Sequence, residues 1–211
     1  MKITIFLFDG VTALDAIGPY EALARLPHST IEFVGKAKGP VRTGDGFLAL
    51  YADADISSVR ETDILVVPGG HRRGLIATIP DPEVQDWVRR IDARSQWTTS
   101  VCTGSLILGS AGILAGRRAS THWRAKAALA QFGIEYSADR ITIDGKYMTS
   151  AGVSAGLDMG LKLCAELAGR DVAEAVQLSI QYDPQPPFDT GDPATAATAD
   201  RVNLIENVLR Q

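Results

Sequence analysis

The chain has 211 residues, 45% apolar and 22% charged, a balance that suits one soluble domain with a single large core. Its net charge of -4 and its lack of a basic cluster exclude a phosphate backbone as a natural partner, so no nucleic acid is expected. Two cysteines are too few for a disulfide framework, the apolar run from Ile3 to Leu7 is too short for a signal peptide, and no stretch could cross a membrane, so a cytoplasmic protein is expected.

Short β-branched or aromatic runs alternate with longer amphipathic ones. A strand is predicted over 2–8, a helix over 19–26 and a second strand over 31–35. Residues 63–67 and 96–101 form continuous apolar or β-branched runs, the pattern of central strands buried on both faces. Between them a helix is read over 82–93, with Pro82 in its first turn and Arg89, Arg90 and Arg94 on its solvated face. Helices over 103–111 and 124–132 end at Gly112 and Gly133, with a short strand over 117–121 between them. A hairpin over 140–149 turns at Asp144-Gly145, and helices follow over 153–168 and 171–182. Residues 183–193 hold four prolines and read as an irregular arm leading to a last helix over 197–209. The alternation implies one domain of the α/β class, doubly wound and mostly parallel, flanked by helices.

Ligands in such sheets bind beyond the carboxyl ends of the strands. Three segments fall there: Asp15 after the first strand, Gly69-Gly70 after Val67, and Cys102-Thr103-Gly104-Ser105 after Val101. A cysteine on an apolar strand is usually inert core, but one between a buried strand and a Gly/Ser helix start resembles a nucleophile elbow. Backbone donors and the helix dipole would lower the pKa of a thiol there. Asp15 either caps the first helix or transfers protons. Gly69 and Gly70 form either a tight turn or free N–H groups for an anionic intermediate. His122 is either a structural histidine or a partner of Cys102, whereas His28 and His71 lie in polar loops. Cys164 shares a helical face with Leu157, Leu161 and Ala168 and reads as core. The dispersed histidines offer no ligand spacing, so no metal is predicted.

Leu14-Asp15 with Gly18-Pro19, Val67-Pro68-Gly69-Gly70, Ser100 to Ser105 and Thr121-His122-Trp123 together resemble the ThiJ/PfpI superfamily. Gln181-Tyr182-Asp183-Pro184 and Pro186-Pro187-Phe188 are similar to the tail of its isocyanide hydratase branch. The resemblance implies a flavodoxin-like sheet of the class I glutamine amidotransferase-like kind, a homodimer and no cofactor. It implies catalysis by Cys102, Asp15 and Thr103 on an isocyanide, through a covalent thioimidate that yields an N-substituted formamide. Gly69, Gly70, His122, Ala151 and Gly152 would bind the substrate. Thr103 stands where glyoxalase-like relatives carry histidine, which counts against their activities. Thr149-Ser150-Ala151-Gly152 is less glycine-rich than the branch pattern, which implies a narrower pocket. Similar domains also form the front halves of AraC-type regulators, and a redox-sensing role for Cys102 is a further alternative.

Overall fold

The computed structural model describes residues 1–194 and 198–208. Its backbone divides into two compact units, Met1–Ile180 and Gln181–Gln211.

The first unit opens with β1 (Lys2–Phe6), α1 (Ala13–Leu23) and β2 (Thr30–Gly35), followed by β3 (Gly39–Arg42), β4 (Ala49–Ala52) and β5 (Ala54–Asp55). Then come β6 (Ile64–Val67), α2 (Arg72–Thr78), α3 (Pro82–Asp92), β7 (Trp97–Val101) and α4 (Gly104–Ser110). A short strand β8 (Arg118–Ala119) precedes α5 (Lys126–Leu129), which carries a 3-10 turn at each end, Trp123–Ala125 and Ala130–Phe132. The unit finishes with β9 (Glu135–Tyr136), β10 (Ile141–Asp144), β11 (Tyr147–Ser150), α6 (Ala155–Ala168) and α7 (Arg170–Ser179).

Seven of these strands form one sheet in the order β10-β11-β7-β6-β1-β2-β5. All neighbours are parallel except β10 and β11, the predicted hairpin, in which Asp144 faces Tyr147 and Gly145 takes φ +64°. β2 and β6 flank β1 on opposite sides, so the winding reverses there and opens a crevice at the carboxyl ends of β1, β6 and β7. The continuous apolar runs do become the buried centre: all four residues of β6 are buried, as are four of the five in β7. Trp87 of α3 is buried beside Phe6, its indole N–H donating to Val59 O at 3.0 Å. Burying such a large side chain stabilises by about 2–3 kcal/mol once the indole is satisfied.

Four readings are corrected. α1 begins at Ala13 and holds Pro19 inside it, so the predicted start at Pro19 falls six residues late. Because Pro19 has no N–H, the carbonyl of Asp15 loses its helical donor there. The antiparallel hairpin of β3 and β4 and the helix α2 were not anticipated; each of the two strands is four residues long and buries only one of them. The helix expected over 124–132 is a short α-helix between two 3-10 turns. The last helix of the first unit stops at Ser179 rather than reaching Tyr182.

The second unit is irregular through its proline-rich arm and then forms α8 (Thr198–Val208). Ala197 and Leu209, the ends expected for that helix, lie outside the described residues.

Candidate active site

The loops at the crevice are joined backbone to backbone. Thr12 N donates to Gly69 O at 3.0 Å and His71 N to Gly10 O at 2.8 Å, and Val11 bridges Gly70. This stitching carries the first turn of α1 to the end of β6. A Cβ on Gly104 would overlap Val67 O, so only glycine lets the start of α4 settle against the same strand end.

Asp15 is therefore inside α1, and the helix has no side-chain cap at Thr12. The capping alternative does not describe its geometry. The carboxyl is fully buried, with Oδ2 accepting the Gly69 N–H at 3.0 Å and Oδ1 left with no hydrogen-bond partner of ordinary geometry among the described residues. Burial pushes its pKa up to about 7, against the opposing pull of the Gly69 N–H and then of the neighbouring Cys102 thiol.

Cys102 follows β7 with φ +57°, one of three non-glycine residues of positive φ among the described residues. An L-residue in this region is strained by roughly 1–2 kcal/mol and stays there only where its surroundings impose it. They do so on both sides. Cys102 N donates to Ala151 O at 2.9 Å and Ser150 O at 3.2 Å, while Cys102 O accepts from Thr121 Oγ1 at 3.0 Å and Ser105 Oγ at 3.3 Å.

The expected acidic thiol is corrected in sign. Burial, then the Asp15 carboxylate, pushes the Cys102 thiol up to about 12. The Thr103 and Val153 N–H groups and the Thr103 hydroxyl oppose that shift without reversing it. A seven-residue helix and a few donors do not outweigh burial and a neighbouring anion. Among the described residues, then, the sulfur keeps its proton at neutral pH beside a carboxyl group that titrates there.

The free N–H groups expected at Gly69 and Gly70 are also corrected: the first holds Asp15, and the second donates to Thr103 Oγ1 at 3.1 Å. A Cβ on Gly69 would lie 2.5 Å from Thr103 N and 3.0 Å from Asp15 Oδ2. The two glycines thus position Thr103 and Asp15 directly.

Ala151 joins the site through its carbonyl. Gly152 lies under the imidazole of His122, where a Cβ would come within 2.9 Å of Cδ2. His122 is half-buried, its Nδ1 accepts from Arg124 N at 3.3 Å, and no hydrogen bond among the described residues links it to Cys102 or Asp15. Burial and the Arg124 charge hold its pKa down. The side chains of Thr149 and Ser150, expected to narrow the pocket, instead serve the scaffold: Thr149 Oγ1 accepts Ser120 N at 2.8 Å and Ser150 Oγ donates to Ser100 O at 3.3 Å. Cys164 is wholly buried in α6, with Sγ 3.7 Å from Ala22 O.

Sequence reasoning missed the Val153 N–H, the Thr121 and Ser105 hydroxyls and the Ser150 carbonyl. Val153 follows β11 on the crevice side of the sheet, a position that could have flagged it. No group of three or more His, Cys, Asp or Glu able to hold a metal occurs among the described residues, and no helix there is long and apolar enough to cross a membrane.

Residues 1–166 match the model of the DJ-1/PfpI family. The chain is 41% identical over 199 residues to the isonitrile hydratase of Pseudomonas putida, covering 94% of this chain and 86% of that protein. It superposes on the crystal structure of a THiJ/PfpI family protein from Pseudomonas syringae with a TM-score of 0.92 at 39% identity, covering 99% of this chain and 86% of that one. It is also 33% identical over 146 residues to the HTH-type transcriptional regulator CdhR of Pseudomonas aeruginosa, covering 68% of this chain and 42% of that protein. On these grounds, together with a mostly parallel sheet that carries a cysteine elbow at the carboxyl end of β7, the chain belongs to the DJ-1/PfpI family.

Proposed function

We propose that this protein hydrates isocyanides to N-substituted formamides, with Cys102 as nucleophile and Asp15 as proton carrier. The observation that carries the reading is the buried Oδ1 of Asp15, without a hydrogen-bond partner of ordinary geometry among the described residues, in a carboxyl beside a strained, buried cysteine. A carboxyl oxygen left without a partner in the interior is costly, and such costs gather where a substrate or a moving proton supplies the missing partner. The similarity to the isonitrile hydratase supports the choice of substrate class.

The chemistry follows from the proton balance of the pair. Ionised Asp15 takes the thiol proton as Sγ bonds to the terminal carbon of R–N≡C, and returns that proton to the same carbon, giving the thioimidate R–N=CH–S–Cys102. Thiolate thus forms only as it attacks, which fits a thiol that is not acidic at rest. Water then adds to the thioimidate carbon while Asp15 carries one of its protons to nitrogen. The adduct R–NH–CH(OH)–S–Cys102 expels sulfur, the hydroxyl proton returns to sulfur through Asp15, and R–NH–CHO leaves. The Thr103 and Val153 donors steady the charge on sulfur during attack and departure. Neither a metal nor a cofactor enters any step.

On this reading Ala151, Gly152 and His122 form one wall for the substituent R, and the working form is a homodimer, which light scattering on the eluted protein would check. Formation of formamide from an alkyl or aryl isocyanide by the purified protein is the test; unchanged isocyanide would refute the assignment. A sensing role has the similarity to CdhR in its favour and predicts isocyanide binding or cysteine oxidation without turnover.

A further inference from the structure

The Thr121-His122-Trp123 segment stands out in the sequence, yet His122 makes no hydrogen bond to the reacting pair among the described residues. The preceding residue does more. We infer that Thr121 is a positioning residue for the nucleophile, its hydroxyl holding the carbonyl of Cys102 so that the elbow keeps the sulfur over Asp15. The inference rests on Cys102 being the nucleophile.

Three successive residues take three different anchors along the end of the sheet. Ser120 N donates to Thr149 Oγ1 of β11, Thr121 Oγ1 donates to Cys102 O at 3.0 Å, and the His122 ring lies on Gly152. Ser120 is doubly fixed, since its Oγ also bonds Asp139 O at 2.6 Å and pairs with Thr142 Oγ1 at 2.7 Å. Thr121 is 1% exposed and therefore cannot trade its bond for water. It is thus a donor presented from a rigid segment to the carbonyl of a residue at φ +57°.

The strained peptide needs that donor. Its N–H is held by Ser150 and Ala151, and its carbonyl by Thr121 together with a longer bond from Ser105. With the Thr121 hydroxyl removed, the carbonyl side keeps only the 3.3 Å bond, and rotation of the peptide toward ordinary φ becomes open to it. Such a rotation swings Sγ away from the Thr103 and Val153 N–H groups, and misplacement of a reacting atom by about 1 Å is enough to lower a rate strongly.

The test follows alkylation of Cys102 by iodoacetamide, site-resolved by mass spectrometry from neutral to alkaline pH, in wild type, Thr121→Val, Thr121→Ser and Thr62→Val. Thr62 is the control: its buried hydroxyl donates to Lys2 O at 2.9 Å at the opposite end of the sheet, so its loss costs comparable stability without touching the elbow. Thr121→Val should react roughly tenfold more slowly, the scale of one hydrogen bond, with its profile displaced to higher pH. Thr121→Ser should restore the wild-type rate and profile, and Thr62→Val should leave both unchanged. If valine at this position prevents folding, Thr121→Ala removes the same hydroxyl with less bulk and is judged by the same criteria. Equal or faster alkylation without the hydroxyl, or equal slowing in Thr62→Val, would overturn the inference. Alkylation needs no isocyanide, so a wild type that fails to hydrate isocyanides would refute the proposed activity and leave this test standing.

Discussion

Gly69 N–H donates to Asp15 Oδ2 at 3.0 Å, joining the turn after β6 to the first turn of α1, while Oδ1 of the same carboxyl, which neighbours the Cys102 thiol, has no hydrogen-bond partner of ordinary geometry among the described residues. One oxygen is thus fixed by the scaffold and the other is left for chemistry. Substituting asparagine separates these two duties, because its amide oxygen can still accept the Gly69 N–H. Asp15→Asn should keep its circular dichroism spectrum and lose about a hundredfold or more in turnover, the usual scale for a missing proton carrier. Near wild-type hydration by the folded variant would remove Asp15 from the mechanism.

The same carboxyl sets a stability window. Its folded pKa is raised to about 7, so the native state holds the proton more tightly than the unfolded chain. The contribution is fully present below the ordinary carboxylate range and is lost as pH rises through about 7. Asp15→Asn has no charge to bury, so it should gain on wild type over that window by about 4 kcal/mol at most. Urea unfolding of both proteins at acid and mildly alkaline pH measures this; a difference that does not change with pH contradicts the raised pKa.

Gly69 has no room for a side chain. A methyl group would press on Thr103 N and Asp15 Oδ2 together, and overpacking of this kind costs about 1–3 kcal/mol. Gly69→Ala should therefore lower both the midpoint of thermal unfolding and turnover, with Cys102 still present. Unimpaired turnover in this variant would show that the Gly69 contact does not position the site.

The two cysteines differ in place more than in burial. Cys102 is 5% exposed at the crevice and Cys164 is 0% exposed within α6. Iodoacetamide should label Cys102 alone in the native protein and reach Cys164 only after denaturation. Cys164→Ala should retain activity at a cost of about 1–2 kcal/mol, the scale of a small buried truncation. Preferential native labelling of Cys164 would contradict the assignment of roles.

The central sheet was legible because β1, β6 and β7 are short, continuous apolar or β-branched runs, and the convergence of Asp15, Gly69 and Cys102 followed from their places after those strands. The start of α1 was not, since Pro19 carries the signal of a first turn while standing well inside the helix. The β3–β4 hairpin escaped because its strands bury too little to show a period. The sign of the thiol shift depends on burial and on a carboxylate 87 positions earlier in the chain, neither of which local spacing displays. The Asp15–Gly69 bond spans 54 positions and is likewise a product of the fold alone.

Covalent hydration is read most directly by following an aryl isocyanide and its N-aryl formamide in the presence of wild type, Cys102→Ala and Asp15→Asn. The account predicts steady formamide production by wild type, none above background with Cys102→Ala, and slow production with Asp15→Asn, which lacks the proton carrier for both formation and hydrolysis of the thioimidate. Undiminished formamide from folded Cys102→Ala, or none from wild type, would contradict it.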